Sequence, residues 1–305
     1  PGMGGILRWA PGENGAGFTE IGYGLRNAVG WAAGPNEEIF FSDNQGEWVA
    51  ANKLCHVVED RYYGYPNSAR PETVKHPRGD TAVWIPYGWA KSINGIAYNS
   101  SGEKFGPFQD QFSMAELMHG GAIIRAHVEQ INGVYQGACF PFWGRGLVGP
   151  LTLAFDPNGP LYVGAITQPA WMAQPDRGAL FRIEFTGVTP FEIQSIHVRP
   201  AGFRLRFTKP IAPEPAREPA SYSIEHYRYE YTGAYGSPEL DRTAVNVKRI
   251  ELANDGLAVD LMTDPLIAGR IYSITAAGVT AKDGGPLVHP TGVYTLNQIP
   301  SAAKR

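Results

Sequence analysis

The sequence predicts an all-β chain in two parts: a run of short sheets, then a β-sandwich. Three observations predict it. Glycine (37) and proline (25) are plentiful among 305 residues, and charged residues make up only 18%, which describes many short strands joined by tight turns. Sustained helical periodicity is almost absent. The text also changes character near "RIEFTGVTPFEI", being glycine- and aromatic-rich before Gly187 and cleanly alternating after it.

In chain order, "GYGLRNAVGWAAGPNEEIFFSDNQGEWV" reads as strand, Gly-Pro-Asn turn, strand and an Asp-Asn-Gln-Gly loop. The design of "AAGPNEEIFFSDN" recurs in "AFDPNGPLYVGAI", whose Pro-Asn-Gly fits a tight turn because Asn and Gly tolerate positive φ. Each copy is followed by a further strand, "ANKLCHVV" or "GALFRIEF". Between them "DQFSMAELMHGGAIIRAHVE" supplies strand-turn-strand without the Pro-Asn turn. Repeated small sheets suggest the blades of a β-propeller. Residues 1–188 hold about three such units, whereas a closed ring takes about four to eight. Open sheet edges are a liability, so these are expected to be the C-terminal blades of a propeller whose earlier blades precede Pro1. A compact four-bladed ring is the alternative.

Residues 189–300 alternate in strands separated by Asp-Gly and Gly-Gly turns, as in "FEIQSIHVRPAGFRLRFTKPI" and "AVNVKRIELANDGLAVDLM". This pattern predicts an immunoglobulin- or fibronectin-like β-sandwich, with 301–305 as a tail. The Tyr-rich run Tyr222 to Tyr235 is expected within the sandwich or at its contact with the blades; an exposed aromatic platform is the other reading.

The net charge of −3 provides no basic field for nucleic acid, and no apolar run approaches the ~20 residues of a membrane span. The first residue is Pro1 with no signal segment ahead of it, so the chain is expected to be a mature product or a piece of something longer. Cys55 and Cys139 lie far apart, and both a disulfide and two buried thiols stay open. The seven His show no C-x-x-C, H-x-x-H or H-E-x-x-H spacing, so neither zinc nor covalent haem is signalled.

The run "GLRNAVGWAAGPNEEIFFSDNQGEWVAANKLCHVVEDRYYGYP" resembles the glucose/sorbosone dehydrogenase family of six-bladed propellers that use pyrroloquinoline quinone (PQQ). Three elements carry the likeness in order: Gly24 to Gly30, Asp43 to Gly46, and Tyr63 to Pro66. The later "NGVYQGACFPF", "LAFDPNGPLYVG" and "ALFRIEFTGVTPFEI" are similar to long bacterial members with a following sandwich and often a c-type haem domain. The resemblance implies that Arg26 and Asn27 contact PQQ, whose three carboxylates suit a guanidinium fork and an amide donor. It also implies Ca²⁺ on the carbonyls of Gly46 and Glu47. Two departures stand out. The family's next-blade Lys would fall near Met118, where this chain offers His119 instead. Its last Arg cluster would fall near Val148 to Thr152, where the nearest cation is Arg145. The catalytic His would lie upstream of Pro1, so no catalytic residue is assigned here. The expected function is the C-terminal part of a PQQ-dependent sugar or aldose dehydrogenase, exported, passing electrons to haem c. The alternative is a non-catalytic carbohydrate-binding or scaffold module.

Overall fold

The computed structural model describes residues 4–12, 15–118, 121–144, 146–166 and 178–301. An opening hairpin, β1 (Ile6–Gly12) and β2 (Gly15–Tyr23), precedes the first meander. That meander comprises β3 (Ala28–Ala33), β4 (Ile39–Asp43) and β5 (Asn52–His56); after the short β6 (Arg61–Tyr62) it ends with β7 (Thr81–Ile85). The order β3-β4-β5-β7 is antiparallel throughout, while β6 pairs in parallel with β2. The second meander runs β8 (Ile93–Tyr98), β9 (Phe112–Glu116), β10 (Ala122–Ile131) and β11 (Val134–Trp143). The third is β12 (Pro150–Phe155), β13 (Leu161–Ala165) and β14 (Ala179–Ile183).

The first strands β3, β8 and β12 lie side by side, so the three sheets fan out like propeller blades. Small residues make this possible. A Cβ on Gly30 of β3 would stand 2.0 Å from the Asn94 carbonyl oxygen of β8, and one on Gly95 of β8 would stand 2.6 Å from Thr152 Cα of β12. Only a residue without a side chain allows backbones that close. The Pro-Asn turns differ in detail. The first turns at Asn36, with φ 57°, whereas the second turns at Gly159, with φ 121°.

The sandwich adds β15 (Ile193–Arg199), β16 (Gly202–Phe207), β17 (Ser223–Arg228), β18 (Leu240–Ala244), β19 (Val247–Leu252), β20 (Ala258–Thr263), β21 (Arg270–Thr275) and β22 (Thr291–Leu296). One layer is β15-β16-β20-β19. The other, β18-β17-β21-β22, continues without a break into the second meander because β22 pairs with β11 at Thr295–Gly137, Tyr294–Ala138 and Val293–Cys139. The result is a single eight-stranded sheet from β18 to β8. The sequence boundary at 188/189 falls in the strandless connection between β14 and β15, but the two parts share a sheet and a core.

Phe140, Ile196, Phe203, Tyr272 and Tyr294 close one buried cluster inside the sandwich. Phe40, Leu54, Phe112, Tyr227 and Val293 form a second that joins the first two meanders to it. Buried Arg125 on β10 fastens the joint. It donates to Gln111 Oε1 at 3.0 Å, to the Gln194 carbonyl at 2.9 Å and to the Ile193 carbonyl, and its guanidinium lies 4.2 Å from the Phe140 ring centroid. Cys55 and Cys139 are both buried free thiols. Burial pushes the Cys55 thiol up to about 11 and raises Cys139 as well. Among the described residues no helix is long and apolar enough to cross a membrane.

Candidate functional site at the strand ends

At one end of the fan the three meanders repeat a local pattern. Ala28 pairs with Asp43, Ile93 with Glu116, and Pro150 with Ala165. The amide following each second strand donates to the carbonyl just before each first strand: Asn44 to Asn27 at 3.3 Å, Leu117 to Ser92 at 3.0 Å, Ile166 to Gly149 at 3.0 Å. Arg26, Lys91 and Val148 are therefore equivalent positions.

In the first two meanders a buried carboxylate caps the two amides at this end. Asp43 accepts from Arg26 N at 3.2 Å and from Asn27 N at 2.7 Å. Glu116 accepts from Lys91 N at 3.0 Å and Ser92 N at 3.3 Å. Such capping satisfies otherwise orphaned amide donors and fixes where the flanking side chains leave the backbone. The third meander has Ala165 for the acid and Val148 for the cation. Its lack of an Arg, expected from the sequence, thus goes with the loss of the whole device.

Arg26 lies directly over Gly46, where a Cβ would stand 1.8 Å from its Cζ. Its Nε and Nη2 donate to Glu47 Oε2 at 3.2 and 3.0 Å, and Nη1 donates to the Gln45 carbonyl at 2.9 Å. The Glu47 carboxyl is held below its usual range by its own backbone amide and then by Arg26. Three of the five guanidinium donors are thereby committed to the protein. The Asn27 side chain is exposed, and neither its amide nor the Lys91 ammonium has a hydrogen-bond or ion-pair partner among the described residues. Lys91 Nζ lies 5.7 Å from the Tyr87 ring centroid.

The Tyr-rich run comes up beside Arg26. Tyr222 and Tyr227 are buried in the sandwich, but the chain beyond β17 crosses to the Asn44–Ala51 loop. Gly236 N donates to the Gly46 carbonyl at 3.0 Å, Trp48 N to Thr232 O at 3.0 Å, and Ser237 N to Ala50 O at 2.9 Å. The Tyr235 ring stands 5.4 Å from Arg26 Cζ. An open groove of about 520 Å³ lies alongside, with Gln45, Tyr87, Tyr229, Tyr235 and Glu239 among its walls, and Arg26 and Lys91 adjoin it through the Tyr235 and Tyr87 rings. Trp89 packs on the core and does not line the groove.

The two predicted calcium sites differ: the Gly46 carbonyl already accepts a hydrogen bond from Gly236, and beside the Glu47 carbonyl the Glu47 side chain is drawn to Arg26. Among the described residues no group of three or more His, Cys, Asp or Glu side chains comes together. A cation that takes about six to eight oxygens thus finds no side-chain cluster among the described residues. An anionic quinone with several carboxylates fits better: Lys91, Asn27 and the two uncommitted Arg26 donors are the donor types it needs. His119 and Arg145 lie outside the described residues.

Lys91 is not apparent from the sequence alone, because the repeat read there starts its second unit at β9 and leaves β8 out. The signal was present: "RNAVG" and "KSING" both place a cation at the head of the strand and end four residues later on a close-approach glycine.

No family model matches the chain, and no curated protein matches it. Among solved structures, it is similar to the PQQ-bound aldose sugar dehydrogenase of Streptomyces coelicolor at 21% identity and TM-score 0.44, over 59% of this chain and 52% of that one. It is also similar to an oxidoreductase described as a glucose dehydrogenase from Thermus thermophilus, at 20% identity and TM-score 0.41 over 53% and 46%. A gluconolactonase of Xanthomonas campestris aligns over 97% of both chains, at 13% identity and TM-score 0.33. The chain spans about half the length of the first two. At these scores the likenesses carry no argument about activity.

Proposed function

We propose that this chain is the C-terminal part of a PQQ-dependent sugar or aldose dehydrogenase-like protein, with the strand-end groove as its share of the cofactor site. The observation that carries the reading is the repeated end device, which sets Arg26 and Lys91 at equivalent positions of adjacent sheets. Two basic groups there, with Asn27 beside one of them, suit the carboxylate edge of the cofactor. When bound, PQQ supplies a quinone that accepts hydride from a sugar hydroxyl. The residues of this chain do the holding: Lys91 and Asn27 present uncommitted donors, and Glu47 fixes the Arg26 fork. The base that removes the hydroxyl proton belongs to another part of the protein, and electrons leave to a haem c acceptor. Export to the periplasm or cell surface belongs to the same reading.

A second reading rests on one specific observation. Arg26 is already bound to Glu47 and Gln45, as in a loop-bracing residue of a carbohydrate-binding or scaffold module. Parallel titrations of the full-length protein separate the two. The dehydrogenase reading expects saturable PQQ binding, detected through the cofactor's absorbance, and PQQ-dependent reduction of a dye by an aldose. Aldose binding with no detectable PQQ binding at about 100 Kd-equivalents of a typical micromolar site would select the module instead.

A further inference from the structure

A second cavity, separate from the groove, opens between the first meander and the sandwich. Its volume is about 210 Å³, and Lys53, Arg78, Asp80, Trp48, Trp84 and Tyr231 are among its lining residues. That is below the usual range of drug-sized pockets and suits a single small molecule.

Its cations are what set it apart. The Lys53 side chain is only 5% exposed, with Asp43 Oδ2 as its carboxylate at 3.8 Å. Nζ donates to the Tyr63 carbonyl at 2.7 Å and makes no other hydrogen bond among the described residues. An ammonium has three donors, and burying two of them without acceptors is costly. Arg78 stands at the rim with its Cζ 3.7 Å from the Tyr231 ring centroid. It too has no ion pair or hydrogen bond among the described residues. Tyr231 is held in place by donating to the Gly64 carbonyl at 2.9 Å. Both cations therefore keep unspent donors in a cavity walled by aromatic rings, with the carboxylates Asp80 and Glu230 facing the same space.

From this arrangement we infer that the cavity binds a small hydroxylated carboxylic acid of sugar-acid size. The ligand carboxylate answers Lys53 and Arg78. Its hydroxyls donate to Asp80, and its C–H faces lie on Trp48, Trp84 and Tyr231. A plain anion would leave the aromatic walls and Asp80 without a role, and a neutral sugar would leave Arg78 without an anionic partner and Lys53 with only the more distant Asp43.

Calorimetric titration of the full chain with D-gluconate, D-glucose, acetate and inorganic phosphate tests this. Gluconate should bind at least about tenfold more tightly than glucose or acetate, a difference of about 1.4 kcal/mol. Lys53→Met and Arg78→Gln should each weaken it by about tenfold or more. Arg78 is at the rim, so its variant keeps the test open if the buried substitution unfolds the protein. Glucose or phosphate binding as tightly as gluconate overturns the inference, as does undiminished affinity in Arg78→Gln or no gluconate binding at millimolar concentration.

Discussion

Single residues set the spacing of this molecule, and glycines do so most sharply. Because a Cβ on Gly30 would stand 2.0 Å from the Asn94 carbonyl, Gly30→Ala must push β3 off β8. We expect a loss of about 2–4 kcal/mol in a denaturant titration; a loss below about 0.5 kcal/mol would mean the strands are not in such close contact. Arg125 acts differently. It is a buried cation whose partners are carbonyls, an amide and two aromatic rings, with no carboxylate in direct contact. Arg125→Met keeps much of the volume but strands the Ile193 and Gln194 carbonyls, so a destabilisation of about 2–4 kcal/mol is expected by the same measurement. The roles of these two residues differ in how visible they were. Gly30 sits in a strand of small residues, a pattern legible in the text. Arg125 sits in "AIIRAHVE", where nothing says that its side chain turns inward toward a strand almost seventy residues away.

At the scale of elements, strand-turn-strand units were legible from alternation and Pro-Asn turns, but their grouping was not. β8 follows an irregular loop, so the sequence pattern starts the second unit at β9; the close contact of β8 with β3 and β12 is a tertiary fact. The junction of β10, β15 and β22 likewise depends on long-range contacts. There Glu129 accepts from the Tyr294 hydroxyl at 2.7 Å and from Val198 N at 2.8 Å, and lies 3.1 Å from His197 Nδ1. Burial raises the Glu129 carboxyl, but these hydrogen bonds outweigh it and hold the group below its usual range. Next to it, His127 is lowered to about 3 by burial and by His197. Both shifts have the same sign for stability. Between about pH 6.5 and 3 the unfolded chain takes up a proton on His127 that the folded chain refuses, so stability falls as pH falls. Glu129 adds to the loss as pH drops below the ordinary carboxylate range. Urea unfolding at pH 7, 6 and 5 should show His127→Leu with a shallower decline than the parent, the single site contributing at most about 1.4 kcal/mol per pH unit. Parallel curves would place the pH dependence elsewhere.

At the scale of the whole molecule, the eight-stranded sheet makes the sandwich an extension of the second meander. The sequence predicted two units with a boundary, and the composition shift is real; the β11–β22 pairing links residues more than 150 positions apart and leaves no local trace. All seven Trp precede residue 188, so tryptophan fluorescence is weighted to the first part of the chain while far-ultraviolet circular dichroism reports both parts. The two probes should give coincident urea transitions, and separated midpoints would show that the shared sheet does not couple the parts. The end device had a trace, Arg26-Asn27 in one copy and Lys91-Ser92 in the other, but the commitment of Arg26 to Glu47 needed coordinates. It changes which residue matters most. The most direct measurement is the PQQ affinity of the full-length protein compared with its Lys91→Met and Arg26→Ala variants. Lys91→Met should weaken PQQ by about tenfold or more, from the loss of a charge-assisted hydrogen bond worth about 1.5–3 kcal/mol, and Arg26→Ala by no more than that. Unchanged PQQ affinity in Lys91→Met would contradict the account.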